Sequence, residues 1–179
     1  MKNLCVYCGS KNGNRVTYPE MAIYLGQYCA KNQIRIVYGG ASIGLMGLMA
    51  DACLKNGGEV IGIIPKHIVD LEVAHSNLTE LHIVNSMHER KALMEKISDG
   101  FLAMPGGFGT LDELFEIVTW SQLKLHQKPV GLWNIDSYFD HLIQFINHST
   151  EEGFISPVHN KLIQYHTDLN VLIGSLLKN

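Results

Sequence analysis

The chain has 179 residues, 46% of them hydrophobic, and a formal charge of -3 at pH 7. This length is typical of a single domain with a sizeable core, so we expect one domain over residues 1–179. The small negative charge, without a block of basic residues, argues against nucleic acid or an anionic membrane as a partner. Because no apolar run approaches the roughly 20 residues that span a bilayer, and no signal-peptide pattern is present, we expect a cytoplasmic protein.

Predicted strands and helices alternate along the chain. Apolar runs bounded by turn residues predict strands at residues 4–8, 34–38, 60–64, 81–85, 101–104, 129–133 and 162–165. Helical spacing predicts helices at 18–32, from the end of the glycine-rich segment 39–47 to about 55, and at 86–97, 110–126, 138–148 and 168–177. Residues 66–79 show no clear periodicity and are predicted to form a long loop above the sheet.

This alternation predicts an α/β fold with a doubly wound, mostly parallel sheet, Rossmann-like, with helices on both faces. Strand–helix–strand units form right-handed crossovers, which make neighbouring strands parallel. In such sheets ligands bind beyond the carboxyl ends of the strands. Four segments should come to that edge, namely residues 9–10, 39–47, 86–91 and 105–113.

The most informative segment is 99–126, which predicts a buried strand, a glycine turn and a long helix. Its first part is an apolar run without alternation, as expected for a parallel strand covered on both faces. Pro105 ends that strand, and Gly106, Gly107 and Gly109 follow it. Glycine lets the backbone turn sharply and approach a ligand closely.

Two segments have the spacing of a capping box, in which a Ser or Thr cap is followed three residues later by Glu. Thr110 and Glu113 form one and predict that the long helix begins there; Ser86 and Glu89 form the other. The free N–H groups and the positive dipole end of the long helix would suit a phosphate. A turn that serves packing alone, with Glu113 only as a capping residue, stays open as the alternative.

Two common nucleotide-binding motifs do not occur in the sequence. A dehydrogenase would carry GxGxxG after its first strand, but the first turn here reads Cys8-Gly-Ser-Lys-Asn-Gly13. The phosphate loop GxxxxGK(S/T) is missing as well. The pattern therefore favours a nucleoside monophosphate over a dinucleotide or a triphosphate.

The cysteines are predicted to be buried, reduced thiols. Cys5 and Cys8 form a CxxC, but residues three apart on a strand point to opposite faces, so these thiols could not easily share a metal. Cys29 and Cys53 are isolated, and no second Cys/His pair has ligand spacing. We therefore expect no metal site.

Several motifs together resemble one family. The segment Pro105-Gly-Gly-Phe-Gly-Thr-Leu-Asp-Glu113 matches PGGxGTxxE, and Met87-His-Glu-Arg-Lys91 matches an MHxRK-type segment. Residues 39–47 match the motif GGGxxGLMG, except that Ala41 replaces its third glycine. Residues 119–124 match TWxQLG, except that Lys124 replaces its glycine, and residues 151–157 match EEGFISP. The sequence thereby resembles the LONELY GUY family of cytokinin riboside 5'-monophosphate phosphoribohydrolases, often labelled lysine decarboxylases.

The resemblance implies hydrolysis of the N-glycosidic bond of a nucleoside 5'-monophosphate, AMP or an N6-modified AMP, to free base and ribose 5-phosphate, without cofactor or metal. It implies that Arg90 and Glu113 are catalytic and that the protein is a homodimer or larger homo-oligomer. Cleavage produces a cationic sugar, which a carboxylate stabilises while it orients water. Arginine offers a fixed fork of donors to a nucleotide.

The resemblance also implies a set of substrate-binding residues. Those at matching positions are Glu72, Arg90, Lys91, Gly107, Phe108, Gly109, Thr110, Leu111, Asp112, Glu113 and Thr119. The other strand-end turns add Gly9, Ser10 and Gly40, because they come to the same edge of the sheet.

Two other functions stay open. A carrier of a nucleotide-like ligand such as molybdenum cofactor would need the anion site but no carboxylate beside a sugar. A pyridoxal-phosphate decarboxylase would need a Schiff-base lysine with a partner for the pyridine nitrogen, and the sequence shows no such arrangement. Trp120 could stack on a base or pack in the core or at a dimer contact. The turn motifs do not distinguish adenine from N6-prenylated adenine or another purine.

Overall fold

The computed structural model describes residues 1–69 and 73–177. Within them the strands are β1 (Lys2–Tyr7), β2 (Ile34–Tyr38), β3 (Val60–Pro65), β4 (Glu80–Val84), β5 (Gly100–Ala103), β6 (Val130–Trp133) and β7 (Ile163–His166). They form one parallel sheet in the order β4-β3-β2-β1-β5-β6-β7. The predicted α/β, doubly wound, Rossmann-like fold is confirmed.

Helices connect the strands and cover both faces of the sheet. They are α1 (Thr17–Lys31), α2 (Gly44–Lys55), α3 (Met87–Ile97), α4 (Phe108–Gln122), α5 (Asp140–Glu151), α6 (Pro157–Asn160) and α7 (Leu169–Leu176), with a 3-10 turn at Ile135–Ser137. In the described residues, no helix is both long enough and apolar enough to span a membrane.

The chain changes direction across the sheet between β1 and β5. From β1 the strands run outward to β4, and the chain then returns to the centre and runs outward to β7 on the other side. Leu4 of β1 pairs with Ile36 of β2 on one side and with Gly100 of β5 on the other. The carboxyl ends of β1 and β5 therefore flank the topological switch point, where this class of sheet binds ligands.

Alternate side chains of the strands build two cores. Leu4 and Cys8 pack on the face covered by α1, α2 and α7, whereas Cys5 and Tyr7 pack on the face covered by α3, α4 and α5. The prediction that Cys5 and Cys8 point to opposite faces is confirmed. Among the described residues, no cluster of three or more His, Cys, Asp or Glu side chains could hold a metal ion.

Several predicted boundaries were wrong. α2 begins at Gly44 rather than after Gly47, and α4 ends at Gln122 rather than at 126. α5 occupies 140–151 rather than 138–148: Tyr138 ends the preceding 3-10 turn and Phe139 is the N-cap of the helix. The 3-10 turn and α6 are too short for a helical period to show in the sequence.

The cap predicted at Ser86 is confirmed at the start of α3, but Glu89 bonds the N–H of Asn85, one residue before the N-cap, where a capping box would use that of Ser86. The Ser86 hydroxyl accepts a hydrogen bond from the Glu89 N–H at 3.1 Å. In return the Glu89 carboxylate accepts from the Asn85 N–H at 2.8 Å. These bonds fix the entry to α3, whose first turns carry Arg90 toward the switch point.

Candidate active site

The turns after β1 and β5 are joined at Gly9. Its N–H donates to the Pro105 carbonyl, and its carbonyl accepts from the Leu45 N–H at the start of α2, both at 3.1 Å. α2 approaches the β1 turn so closely that a Cβ added at Gly44 would lie 2.3 Å from the backbone carbon of Ser10. The three chain segments therefore form one backbone framework at the switch point.

The capping box predicted at Thr110 and Glu113 was wrong. The N-cap of α4 is Gly107, and the helix begins at Phe108, so Thr110 is its third residue and Glu113 its sixth. Thr110 is buried and packs back against the turn: its Oγ1 lies 2.0 Å from where a Cβ on Gly106 would be. The hydroxyl thus fills the space left by Gly106 instead of capping the helix, and Glu113 has no capping role.

The amino-terminal end of α4 has space for a ligand. The N-cap residue Gly107 has no side chain that could accept a hydrogen bond from the first N–H groups of α4. These N–H groups also have no acceptor within the helix itself. In the described part of the chain, nothing lies within 4 Å of a Cβ added at Gly107 or Gly109. These glycines leave open space where N–H groups and the helix dipole favour an anion.

A cavity of about 490 Å³ lies over this end of α4. The predicted site residues that line it are Gly9, Ser10, Arg90, Gly107, Phe108, Gly109, Thr110, Asp112 and Glu113. Its size lies within the ~300–1,000 Å³ of small-molecule sites. The fold therefore brings the turns after β1 and β5 and the starts of α3 and α4 around one cavity.

Other predicted site residues lie elsewhere. Gly40 is buried beside β3. Lys91, Leu111 and Thr119 line a shallower groove along α4 rather than the cavity. Glu72 lies outside the described residues. For these five residues, contact with a substrate stays a prediction.

Some cavity residues were not named from the sequence: Leu45, Met46 and Met87 lie in segments expected at this edge, whereas Lys11, Tyr18, Ile68 and Tyr138 lie outside them. Met87 belongs to the MHxRK segment, and Leu45 and Met46 open α2, which follows β2. Tyr138 follows β6, whose carboxyl end lies at the same edge of the sheet. Position just after a strand end is the signal that could have found it.

Arg90 of α3 and Glu113 of α4 face each other at the cavity wall. Only 4% of Arg90 is exposed; its Nη2 donates to the Gly39 carbonyl at 3.0 Å. Its Nε lies 4.0 Å from Oε1 of Glu113, whose side chain is 12% exposed. Ionised groups this far buried are held by their partners, because an unpaired buried charge is costly. The pair places a carboxylate and a guanidinium in fixed positions beside the cavity.

Lys91 points along the outside of α4. Its Nζ lies 3.1 Å from Asp112 Oδ2 and also contacts the Glu116 carboxylate. Partial burial opposes the charged form, but hydrogen bonds to these two carboxylates outweigh it and raise the pKa of Lys91. The ammonium group is therefore kept protonated, which suits charge pairing and not attack as a neutral amine.

The thiols beneath the site are kept protonated. Burial, followed by the negative charge of Glu113, raises the pKa of Cys8 well above the ordinary thiol value. Burial does the same for Cys5, which lies on the opposite face of β1. Because only a thiolate is a good nucleophile, neither cysteine is suited to covalent catalysis.

The fold and the cavity together define a Rossmann-like α/β protein with a ligand site at its topological switch point. The sequence model of the family described as "Possible lysine decarboxylase" matches residues 46–176. The chain is 49% identical over 162 residues to cytokinin riboside 5'-monophosphate phosphoribohydrolase LOG1 of Arabidopsis thaliana, covering 90% of this chain and 76% of the relative. It is 46% identical over 175 residues to LOG7 of the same plant, covering 98% and 81%. The chain belongs to the LONELY GUY family.

Solved structures with the same fold include molybdenum cofactor proteins. A Moco carrier protein from Chlamydomonas reinhardtii has a TM-score of 0.70 at 18% identity, with 97% of this chain and 94% of that chain covered. The molybdenum cofactor binding protein from Rippkaea orientalis has a TM-score of 0.68 at 23% identity, with 92% and 89% covered. At these identities the likeness concerns the fold alone.

Proposed function

We propose that this protein is a cytokinin riboside 5'-monophosphate phosphoribohydrolase, which hydrolyses the N-glycosidic bond of a nucleoside 5'-monophosphate to free base and ribose 5-phosphate. The observation that carries the proposal is the Arg90–Glu113 pair, set in one cavity with the open amino-terminal end of α4. The identity to the two Arabidopsis phosphoribohydrolases supports it. The proposed unit of activity is the single domain over residues 1–179.

The geometry of α4 suggests how the substrate is arranged. A phosphate bound by the N–H groups of residues 107–110 lies at the start of the helix. Glu113 follows three residues after Thr110, a rise of roughly 4–5 Å along the axis at ~1.5 Å per residue. That separation is comparable to the size of a ribose ring, so the sugar of a bound 5'-monophosphate reaches the Glu113 carboxylate.

The carboxylate then meets the charge that the reaction creates. As the bond from C1' to the base nitrogen breaks, positive charge develops on the sugar, and Glu113 stabilises it. The same carboxylate accepts a proton from the attacking water, whose oxygen becomes the new hydroxyl on C1'; the base departs with the electron pair of the broken bond and takes up one proton through solvent, to which Glu113 returns its own. Arg90, held by the Gly39 carbonyl, keeps Glu113 in place and offers its donors to the nucleotide. No cofactor is needed for these steps.

Two rival functions are less well supported by the site. A carrier needs a cavity and an anion site, but it has no use for a buried carboxylate beside the sugar. A pyridoxal-phosphate decarboxylase needs a lysine that can become a neutral amine. Lys91 has a raised pKa between two carboxylates, and Lys11 is an exposed residue of the β1 turn.

We also propose a homodimer formed through α4. The groove beside this helix contains Phe108, which is 94% exposed, and Phe115, which is 39% exposed. Leu123 and Leu125, just after the helix, are 61% and 69% exposed. Phe108 lines both the groove and the cavity, so a second copy packed on the groove would close the side of the cavity. The cavity and the groove would then form one enclosed space, and Thr119 of the groove would lie near a bound substrate.

The four reduced cysteines fit a reducing compartment, and the cytoplasm is the proposed location.

The direct test is release of base from a panel of substrates. Purified protein is incubated with AMP, N6-isopentenyl AMP and adenosine, and free base and ribose 5-phosphate are measured by chromatography. We expect the two 5'-monophosphates to be hydrolysed far faster than adenosine, and the rates to be unchanged by EDTA. No base release from any monophosphate, equal rates on AMP and adenosine, or loss of activity in EDTA would contradict the proposal.

A further inference from the structure

A tyrosine from the far half of the sheet reaches back to the glycine turn. Tyr138 follows β6 and lines the cavity. Its hydroxyl donates a hydrogen bond of 2.5 Å to the carbonyl of Gly106, 32 residues earlier in the chain. Neither the sequence motifs nor the comparisons assign it a role.

The backbone that leads to Tyr138 is strained. Asp136 and Ser137 have φ values of 48° and 60°, the left-handed region that non-glycine residues rarely adopt. Two such residues in succession persist only where surrounding contacts hold them. Here the Asn134 side chain supplies such contacts, accepting from the Phe139 N–H at 2.8 Å and donating to Asp140 at 2.7 Å. Residues held in such conformations concentrate at functional sites.

Packing also fixes the direction of the tyrosine ring. It stands edge-on to Tyr18, with ring centroids 5.7 Å apart, and edge-on to Phe139, at 4.9 Å. Both arrangements are favourable for aromatic rings. These two ring contacts and the hydrogen bond to Gly106 together orient Tyr138, which is 41% exposed.

The hydrogen bond acts on one peptide plane of the glycine turn. A trans peptide is planar, so the direction of the Gly106 carbonyl also sets the direction of the Gly107 N–H. On the other side, the Pro105 carbonyl is bonded to the Gly9 N–H. Two peptides remain between that bond and the first residue of α4: the Gly107 carbonyl of the second accepts from the Leu111 N–H at 3.1 Å, and Tyr138 fixes the first. Gly106 and Gly107 have no side chains that could restrain this peptide by their own packing.

We propose that Tyr138 is a positioning residue for phosphate recognition: by holding the Gly106–Gly107 peptide, its hydroxyl keeps the N–H groups of the turn aimed at the 5'-phosphate. This inference rests on the proposed function. Tyr138 acts through the turn and not on the reacting atoms. Its loss should weaken the binding of ligands that carry the phosphate and leave the breaking of the glycosidic bond nearly unchanged.

The test compares Tyr138→Phe with Tyr24→Phe. Each change removes one hydroxyl and keeps the ring; the Tyr24 ring packs on Tyr28 and Trp133, away from the cavity. For Tyr138→Phe we expect KM for AMP and the dissociation constant of ribose 5-phosphate, measured by calorimetry, to rise about tenfold, the effect of one hydrogen bond. We expect kcat, the inhibition constant of free adenine and the melting temperature to stay close to those of Tyr24→Phe.

Each possible result of this comparison either supports or contradicts the proposed role of Tyr138. Unchanged KM and unchanged ribose 5-phosphate binding in Tyr138→Phe would overturn the inference, as would equal weakening of adenine and ribose 5-phosphate. A fall in kcat with unchanged KM would also overturn it. If the wild-type protein releases no base but binds ribose 5-phosphate more tightly than Tyr138→Phe does, the proposed hydrolysis fails while the role of Tyr138 is supported.

Discussion

The guanidinium of Arg90 occupies the space in which a side chain on Gly39 would begin. Arg90 Nη2 lies 3.0 Å from the Gly39 carbonyl oxygen and 1.8 Å from the position of a Cβ added to that glycine. Gly39 has an ordinary negative φ, so space rather than backbone freedom requires glycine here. One residue at the end of β2 thus both bonds Arg90 and makes room for it.

Gly39→Ala should therefore disable the site by displacing Arg90. The added methyl group cannot coexist with the observed guanidinium, and the Arg90–Glu113 geometry is lost with it. We expect kcat/KM for AMP to fall by about 10²- to 10³-fold, the usual effect of losing one preorganised group. Gly174→Ala, on α7 with nothing described within 4 Å of the added Cβ, is the control and should keep full activity. Comparable activity of the two variants would refute this account of Gly39.

Glu113→Gln should remove catalysis and keep the fold. Glu113 is the sixth residue of α4, so an amide of the same shape costs the helix little, but the buried Arg90 guanidinium loses its charged partner and the melting temperature should fall. A neutral amide cannot offset positive charge on the sugar, and we expect kcat to fall by about 10²- to 10³-fold. Glu89→Gln is the matched control, because Gln also serves at this position of a capping box. If both variants hydrolyse AMP at similar rates, Glu113 is not the catalytic carboxylate.

A charge on the exposed face of α4 should split the proposed dimer. Light scattering of the wild-type protein should give about twice the 20.0 kDa mass of one chain. Phe115→Glu places a carboxylate in the apolar groove and should yield monomer, because an unpaired charge is costly to bury in an interface. Val171→Glu, on α7 and thus on the other face of the sheet, should leave the dimer intact. A monomeric wild-type protein at micromolar concentration would exclude this assembly.

Stability should fall in alkaline solution because of the buried thiols. Burial raises the pKa of Cys5, Cys8 and Cys29 well above its ordinary value and that of Cys53 to about 11. In the unfolded chain a thiol ionises near pH ~8.5. Below that pH both states keep their protons and the full stability is present. As pH rises from there toward the folded-state values, the unfolded chain loses protons first and is favoured, by up to about 1.4 kcal/mol per thiol and pH unit.

Urea unfolding at several pH values between 7.5 and 10.5 measures this effect. The free energy of unfolding should be level up to about pH 8.5, the ordinary thiol pKa, and then decline. Cys53→Ala and Cys29→Ala should each reduce the slope of the decline, whatever they do to the stability at pH 7.5. A slope that neither substitution changes would show that other groups control the alkaline loss.

The sequence predicted the elements of the fold better than the details of the site. The apolar runs placed each strand within one or two residues. β3, β5 and β6 are buried along their whole length, as parallel strands covered on both faces are, whereas the edge strands β4 and β7 are largely exposed and carry polar residues. The capping box at Thr110 failed because Gly106, which has no side chain, gave the Thr110 hydroxyl a place to pack that no spacing rule contains. At Ser86 no such packing position draws the hydroxyl away, and the hydrogen bond from the Glu89 N–H that the spacing predicts is present.

The residues that the sequence missed in the cavity come from elements distant along the chain. Tyr138 reaches Gly106 only because β6 lies beside β5 and because two left-handed residues redirect the chain. Left-handed Asp136 and Ser137 are held by the Asn134 side chain, through bonds that no spacing rule contains. Lys11 and Met46 likewise line the cavity from two different segments, the β1 turn and the start of α2. Motifs find residues that act together within one segment, whereas a cavity at a strand crossover is assembled from many segments.

The position of β1 in the sheet also determines when in its synthesis the protein can bind anything. β1 pairs with β2, the next strand to be made, but its other edge waits for β5, which begins at Gly100. On a ribosome more than half of the chain must emerge before the two strands that flank the cavity can meet. Until then β1 has an unpaired edge, the feature of a nascent chain that most invites aggregation. Ligand binding consequently becomes possible only after β5 has been made, and no fragment that stops before β5 can carry it.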